Sequence, residues 1–452
     1  MKILLIQPTG HEPLMDQIYL FEPLALEYLA AGLLLDNHDV RIIDARIEPD
    51  IKAIANDWNP DIVGLTAFTS HVNIARSLAL QSHQLWPDCF VVIGGHHATV
   101  QPEDFNDDCF DAVVIGEGVF TLREIVTAIE HGGALIDIPG IALPCDEGMI
   151  YSETRPYTDL NALPFPAREL TKHYRAHYFS EWFKPLASVR TSLGCTARCN
   201  FCALWSITAG KYLRRDPDQV VEELKGIDEP NVFFCDDESM CDSKRMATLA
   251  TKIHQAGIRK NYFLYARVDT IVRQPELFRQ WAAIGLKQVF VGMEACSDER
   301  LQRMNKGVTV AEQEQAVAIL KKIGVIMYAS FMVDPDYSHQ DFDALIRYIR
   351  RLKLTYATFT VMTPLPGTQL YRDRKAELIS HQPEMFDMLH SLFATHLPDK
   401  EFYHQMARLY EKAVPLYRVL PALAKFGVHG LVLRIKLFQR FLKRLRRAHL
   451  DY

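Results

Sequence analysis

Apolar and polar positions fall into two long blocks of alternating strand-like and helix-like periodicity, separated by a stretch with neither. In the first block, short apolar runs that read as strands occur at residues 2–7, 39–44, 62–66, 90–94 and 112–115, with helical spacing between most of them. This alternation predicts a parallel sheet with helices on both faces and ligand-binding loops beyond the carboxyl ends of the strands. Those loops are Thr66-Ala67-Phe68-Thr69-Ser70, Gly94-Gly95-His96-His97-Ala98-Thr99 and Gly116-Glu117-Gly118. Paired glycines after a strand permit a tight turn and close approach of a flat ligand to the backbone. Residues 136–185 carry Pro139, Pro144, Pro156, Pro164 and Pro166 among polar residues, and read as a linker.

The second block has strand-like runs at 186–190, 231–235, 262–267, 288–292, 325–331 and 357–362, with helical stretches such as 217–226 and 243–256 between them. Six parallel strands make a partial (β/α) barrel, with chemistry at the strand C-termini. Polar residues gather there: Asp236-Asp237-Glu238, Arg267-Val268-Asp269, Glu294, Asp334-Pro335-Asp336 and Thr363-Pro364-Leu365-Pro366-Gly367-Thr368. Asp236 and Asp269, each taken alone, are equally well explained as caps for the next helix; polar residues at several strand ends together favour a shared pocket. From about 396 the pattern is helical. Its last segment, 431 to 450, sets Leu431, Ile435, Phe438, Phe441, Leu442 and Leu445 on one stripe. Beside them stand Arg434, Lys436, Arg440, Lys443, Arg444, Arg446 and Arg447. Such a helix either lies in a membrane interface over anionic headgroups or packs on the barrel with a solvated basic face.

Composition narrows the class. At 452 residues the chain exceeds one ordinary core, and roughly two or three domains are expected. An apolar share of 48% and a charged share of 23% fit a soluble globular protein, and a net charge of −6 argues against a nucleic-acid binder. Nine cysteines without regular spacing argue against a disulfide-stapled secreted fold. The apolar start, Met1 to Pro8, is too short for a signal peptide, and no apolar run reaches the roughly eighteen residues of a membrane span. A cytoplasmic, reducing setting is expected.

The chemistry concentrates at Gly194-Cys195-Thr196-Ala197-Arg198-Cys199-Asn200-Phe201-Cys202. Cysteines spaced C-x3-C-x2-C in a short loop after a strand would hold three irons of a [4Fe–4S] cluster, for which thiolate is the usual ligand. One iron then stays open to a substrate or cofactor; an electron-transfer cluster takes a fourth cysteine, and none lies close by in sequence. The alternatives are a structural zinc site, which finds neither His nor Cys at finger spacing, and unligated core cysteines. Nicotinamide binding needs G-x-G-x-x-G after the first strand, where the chain reads Gln7-Pro8-Thr9-Gly10-His11.

The cysteine spacing, with an aromatic residue before the last cysteine, resembles the signature of radical S-adenosylmethionine (SAM) enzymes. The three loops of the first block resemble the cobalamin-binding domain ahead of many radical SAM modules. Gly292-Met293-Glu294-Ala295-Cys296-Ser297, Met304-Asn305-Lys306-Gly307-Val308-Thr309 and Thr363-Pro364-Leu365-Pro366-Gly367-Thr368 are similar to class B, cobalamin-dependent radical SAM methyltransferases. The Asp334-Pro335-Asp336 form and Glu22-Pro23-Leu24 point within that class to the hopanoid C-3 methylases.

The resemblance implies a doubly wound cobalamin-binding domain at 1–135, a linker at 136–185, a partial (β/α)6 radical SAM barrel at 186–395 and a helical region at 396–452. It implies Cys195, Cys199 and Cys202 as cluster ligands and Phe201, Arg267 and Glu294 as SAM contacts. Thr66, Gly94, Gly95, His96, Gly116 and Glu117 become cobalamin contacts. The lower-ligand motif D-x-H-x-x-G is absent, so cobalt is expected without a protein histidine, and His96 and His97 read as loop residues bonded to backbone or ligand. The implied reaction is methylation of an unactivated carbon of an apolar, hopanoid- or lipid-like substrate. SAM supplies a 5′-deoxyadenosyl radical, methylcobalamin supplies the methyl group, and a flavodoxin- or ferredoxin-type protein supplies electrons. Within the enzyme class the alternative is a non-methylating reaction like that of the anaerobic bacteriochlorophyll cyclase; outside it, a corrinoid-carrying scaffold without turnover.

Overall fold

Along the first strand, Lys2–Gln7, alternate side chains part to opposite cores, Leu4 and Ile6 to one and Ile3 and Leu5 to the other. The same period-2 split recurs in Val63 and Leu65 against Ile62, and in Val91 and Ile93 against Val92. A strand buried on both faces reads as a continuous apolar run, as these do. The computed structural model describes residues 1–10, 18–55, 58–181, 183–413 and 419–452. They form two compact units: Met1–Leu193 with Ala203–Asn231 and Leu365–Gly367, and Gly194–Cys202 with Val232–Pro364 and Thr368–Tyr452.

In the first unit the sheet runs Asp39–Asp44, Lys2–Gln7, Ile62–Thr66, Phe90–Gly94, Ala112–Val114, all parallel, then Ile141–Cys145 and Gly148–Tyr151, antiparallel. Helix Val72–Leu85 covers one face through Ala75 and Ala79. Helices Leu24–Leu35 and Val119–His131 cover the other through Leu26, Ala30, Leu122 and Val126. Strand order reverses between Lys2–Gln7 and Ile62–Thr66, the switch point at which open α/β sheets bind ligands.

Residues 136–185 hold more structure than a linker. Ile141–Cys145 and Gly148–Tyr151 form a hairpin that extends the first sheet, and Arg168–His177 forms a 3₁₀ stretch. Arg168 and Arg175 from that stretch pair with Glu22, which is fully buried. The prolines suggested a break in regular structure; Pro144 instead lies inside the strand, opposite Met149.

In the second unit, strands Asn231–Phe234, Asn261–Ala266, Leu286–Glu294, Ile326–Val333 and Tyr356–Val361 stand in chain order, and the last four pair in parallel. Leu186–Val189, the sixth expected strand, also forms, within the first unit. Intervening helices are well started: Thr309 with Glu312 and Ser338 with Asp341 make N-terminal capping boxes at Val310–Ile323 and His339–Leu352.

The C-terminal helix Val419–Arg447 divides the two readings of its pattern along its length. Gly427 breaks the helical backbone. Beyond it Phe441, Leu442 and Leu445 are buried, Phe441 edge-on to Tyr410 at 4.9 Å, and Arg446 pairs with Glu411. Nearer the break, Val428, Leu433 and Ile435 are 70%, 52% and 46% exposed. No described helix is long and apolar enough to cross a membrane.

Candidate functional site

The cysteine loop hangs from the strand ends of the second unit. The Gly194 N–H donates to Asp237 Oδ2 at 2.7 Å, tying the loop's start to the segment after strand Asn231–Phe234. Cys199 is buried; Cys195 and Cys202 are half-buried. The Ala197 N–H points at Cys195 Sγ at 3.5 Å and Arg267 Nη1 at Cys199 Sγ at 3.8 Å. Burial pushes the Cys195 thiol up, while the Ala197 N–H and Arg267 pull it down. A metal displaces such a proton outright. A single-ion zinc site would need four side chains closing on one point. A cubane instead takes one cysteine per iron. The loop fits a cluster: its thiols are sheltered, and the Ala197 N–H and the Arg267 guanidinium each face a sulfur.

Arg267 follows strand Asn261–Ala266 and joins three features. Its Nε donates to Asp269 at 2.9 Å and its Nη2 to the Lys306 carbonyl at 2.9 Å, while Nη1 meets Cys199. Asp269 is thus an ion-pair partner, not a helix cap. Glu238, 2% exposed, accepts the Arg267 N–H at 3.4 Å, and burial raises its carboxyl to about 7. Glu294 ends strand Leu286–Glu294, where the register with Ile326–Val333 slips between Gly292 and Glu294. Such a bulge re-aims a side chain. Glu294 takes φ +61, a conformation costing roughly 1–3 kcal/mol in a non-glycine residue. Its Oε1 accepts Lys306 Nζ at 2.7 Å. Phe201 packs against Met362, Leu370 and Phe393, and Lys306 Nζ lies 5.9 Å from its ring centre.

One strand step below Arg267, on the same sheet face by parity, runs a row of rings: Tyr265, Phe290, Tyr328 and Tyr356, register partners on four adjacent strands. Neighbouring centroids are 4.9, 5.5 and 5.8 Å apart. The first three are half-buried.

In the first unit the three loops are knitted at the strand ends. The Ala67 N–H donates to the Gly94 carbonyl, the His97 N–H to the Ala67 carbonyl, Thr99 Oγ1 to the Gly95 carbonyl at 2.8 Å, and the Gly116 N–H to Thr99 Oγ1 at 3.0 Å. Gly95 has φ +99, and a Cβ there would lie 2.5 Å from Thr66 Oγ1, so only glycine lets these loops meet. Around Gly116 a Cβ would find nothing within 4 Å. His97 is fully buried with both ring nitrogens engaged, by Thr69 at 3.1 Å and Asp104 at 2.9 Å. His96 is half-buried beside Phe68, its pKa lowered by burial. Glu117 turns back to cap helix Val119–His131, accepting the Phe120 N–H at 3.1 Å. The structure therefore brings Thr66, Gly94, Gly95 and Gly116 together, with His96 alongside, and employs Glu117 as a cap.

The B12 binding domain family matches residues 19–126 and the Radical SAM superfamily residues 189–349. An uncharacterised methyltransferase of Pyrococcus horikoshii is 33% identical over 390 residues, covering 82% of this chain and 82% of its own. The chain belongs to the cobalamin-dependent radical SAM methyltransferases. The hopanoid C-3 methylase of Methylococcus capsulatus is 29% identical over 424 residues, 91% of this chain and 81% of its own. The radical SAM methyltransferase TsrM of Kitasatospora setae, solved with cobalamin and a [4Fe-4S] cluster, shares the fold with a TM-score of 0.72 at 18% identity over 99% of both chains. The cofactors of this radical SAM methyltransferase are cobalamin, SAM and a [4Fe–4S] cluster.

Sequence reasoning on this methyltransferase missed three contributors. Thr99 clasps the Gly95 and Gly116 loops, Lys306 pairs with Glu294, and the aromatic row crosses four strands. Each depends on residues brought together from distant parts of the chain. Only the ring row leaves a trace, an aromatic at matching depth in successive strands.

Proposed function

We propose that this methyltransferase adds a methyl group to an unactivated carbon of an apolar, hopanoid- or lipid-like molecule. The observation that carries the reading is a likeness to a hopanoid methylase that runs through both family domains, 91% of the chain. The half-buried row Tyr265, Phe290 and Tyr328 supports it, offering a flat apolar substrate ring faces on the sheet side from which Arg267 reaches the cysteine loop. Cys195, Cys199 and Cys202 hold the cluster, Arg267 and Glu294 contact SAM, and Phe201 shelters it. Thr66, Gly94, Gly95, Gly116 and His96 line the cobalamin site, with Glu117 setting the Gly116 loop from behind. When bound, the cofactors supply hydrogen-atom abstraction and a transferable methyl group. The protein positions them and excludes water.

The electron donor is a flavodoxin- or ferredoxin-type protein. The enzyme works at the cytoplasmic face of a membrane, which Val428, Leu433 and Ile435 enter while Arg434 and Lys436 meet anionic headgroups. Lipid and pigment profiling of a deletion strain beside its parent tests the reading. A parental lipid heavier by one methylene, lost on deletion, supports it. Loss of an oxidised or cyclised pigment without a methylene difference would place the chain with cyclase-type chemistry.

A further inference from the structure

The turn Asn305-Lys306-Gly307 follows the short helix Asp298–Arg303 and meets the proposed SAM contacts from several sides. Lys306 is 7% exposed, its ammonium paired with Glu294 Oε1 and facing the Phe201 ring. Its carbonyl accepts the Arg267 guanidinium. The residues just before it are bonded to the cysteine loop: Asn305 Nδ2 donates to the Arg198 carbonyl at 2.6 Å and Asn200 Nδ2 to the Arg303 carbonyl at 2.8 Å. The Asn200 N–H reaches the Met304 carbonyl at 3.2 Å. One short strut thus joins the cluster loop to the carboxylate.

A buried ion pair is weak evidence for stability, because desolvation offsets most of its attraction. This pair also carries a cost: Glu294 holds a left-handed backbone, and the pair as placed fills the space beside Gly292, where a Cβ would lie 2.2 Å from Glu294 Oε1 and 2.8 Å from Lys306 Nζ. Among the described residues no donor is bonded to Oε2 of Glu294. The arrangement pins one oxygen and leaves the other to a cationic ligand.

We propose that Lys306 is a positioning residue that acts through Glu294, keeping its carboxylate aimed at the amino group of SAM in register with the cluster loop. The proposal rests on the reading of Glu294 as a SAM contact. The test uses the full chain, anaerobically reconstituted, with labelled SAM in equilibrium dialysis and iron counted beside it, for Lys306→Met, Glu294→Gln and the double variant. Lys306→Met should keep its iron and bind SAM about tenfold more weakly, the loss of one charge-assisted hydrogen bond. The double variant should bind no more weakly than Glu294→Gln, because the two residues act as one unit. Wild-type SAM affinity in Lys306→Met, or losses that multiply in the double variant, overturns the proposal while leaving Glu294 in place. Unchanged affinity in Glu294→Gln removes the reading of Glu294 and the proposal with it. Lys306→Gln, a neutral donor, makes the same comparison if the methionine variant fails to fold; loss of iron in both assigns Lys306 to folding and overturns the idea.

Discussion

At the scale of single residues, the sharpest constraint is Gly95. Its φ of +99 and the 2.5 Å approach to Thr66 Oγ1 forbid a side chain. Gly95→Val should weaken cobalamin binding about tenfold or more, because the Gly94 and Thr66 loops must part to admit it. Titration of the apo protein with cobalamin, below its melting transition, measures this; wild-type affinity would contradict it. A second residue sets a pH dependence. Burial, with Glu22 alongside, raises the Glu27 carboxyl from 4.5 to about 8. The folded chain then holds a proton that the unfolded chain releases, so this contribution is full below the unfolded value and is lost as pH rises toward about 8. Glu27→Gln should flatten the fall in melting temperature between about pH 5 and 8 and stabilise the protein at pH 8 by roughly 1–3 kcal/mol. A fall in melting temperature as steep as that of the wild type would refute it. The cysteine motif was legible because its chemistry is local in sequence. The Glu294–Lys306 pair was not, since a helix separates its members and nothing in either segment alone signals the contact.

At the scale of elements, the C-terminal helix gives the next prediction. Phe441, Leu442 and Leu445 are committed to packing, so truncation would bare Tyr410 and confuse stability with binding. Replacing Leu433 and Ile435 together with Glu leaves that packing intact. The double variant should lose co-sedimentation with anionic vesicles while its melting temperature stays unchanged. Each cation near such a surface contributes roughly 1 kcal/mol, so salt should release the wild type too. Equal sedimentation of variant and wild type would remove the segment from the account. The amphipathic pattern showed the helix but not which half was covered, because covering depends on a neighbouring helix. The buried strands were legible as apolar runs between helical stretches. The hairpin Ile141–Cys145/Gly148–Tyr151 was hidden because two short strands, one interrupted by Pro144, leave no period to read.

At the scale of the whole molecule, two family domains in one chain define the chemistry. Alternation of strand and helix announced both sheets, and the loop signatures announced all three cofactors. The aromatic row that supports an apolar substrate leaves a trace in each strand but joins into one row only through the registers, since Tyr265, Phe290 and Tyr328 stand far apart in sequence. The most direct measurement is transfer of a labelled methyl group. Anaerobically reconstituted protein is given methyl-labelled SAM, cobalamin, a low-potential reductant and an apolar lipid extract of the parent organism's deletion strain. Label is expected in an apolar lipid heavier by one methylene, with 5′-deoxyadenosine formed alongside, and neither product from Cys199→Ala. Formation of 5′-deoxyadenosine with no label in any lipid, or either product from Cys199→Ala, would contradict it.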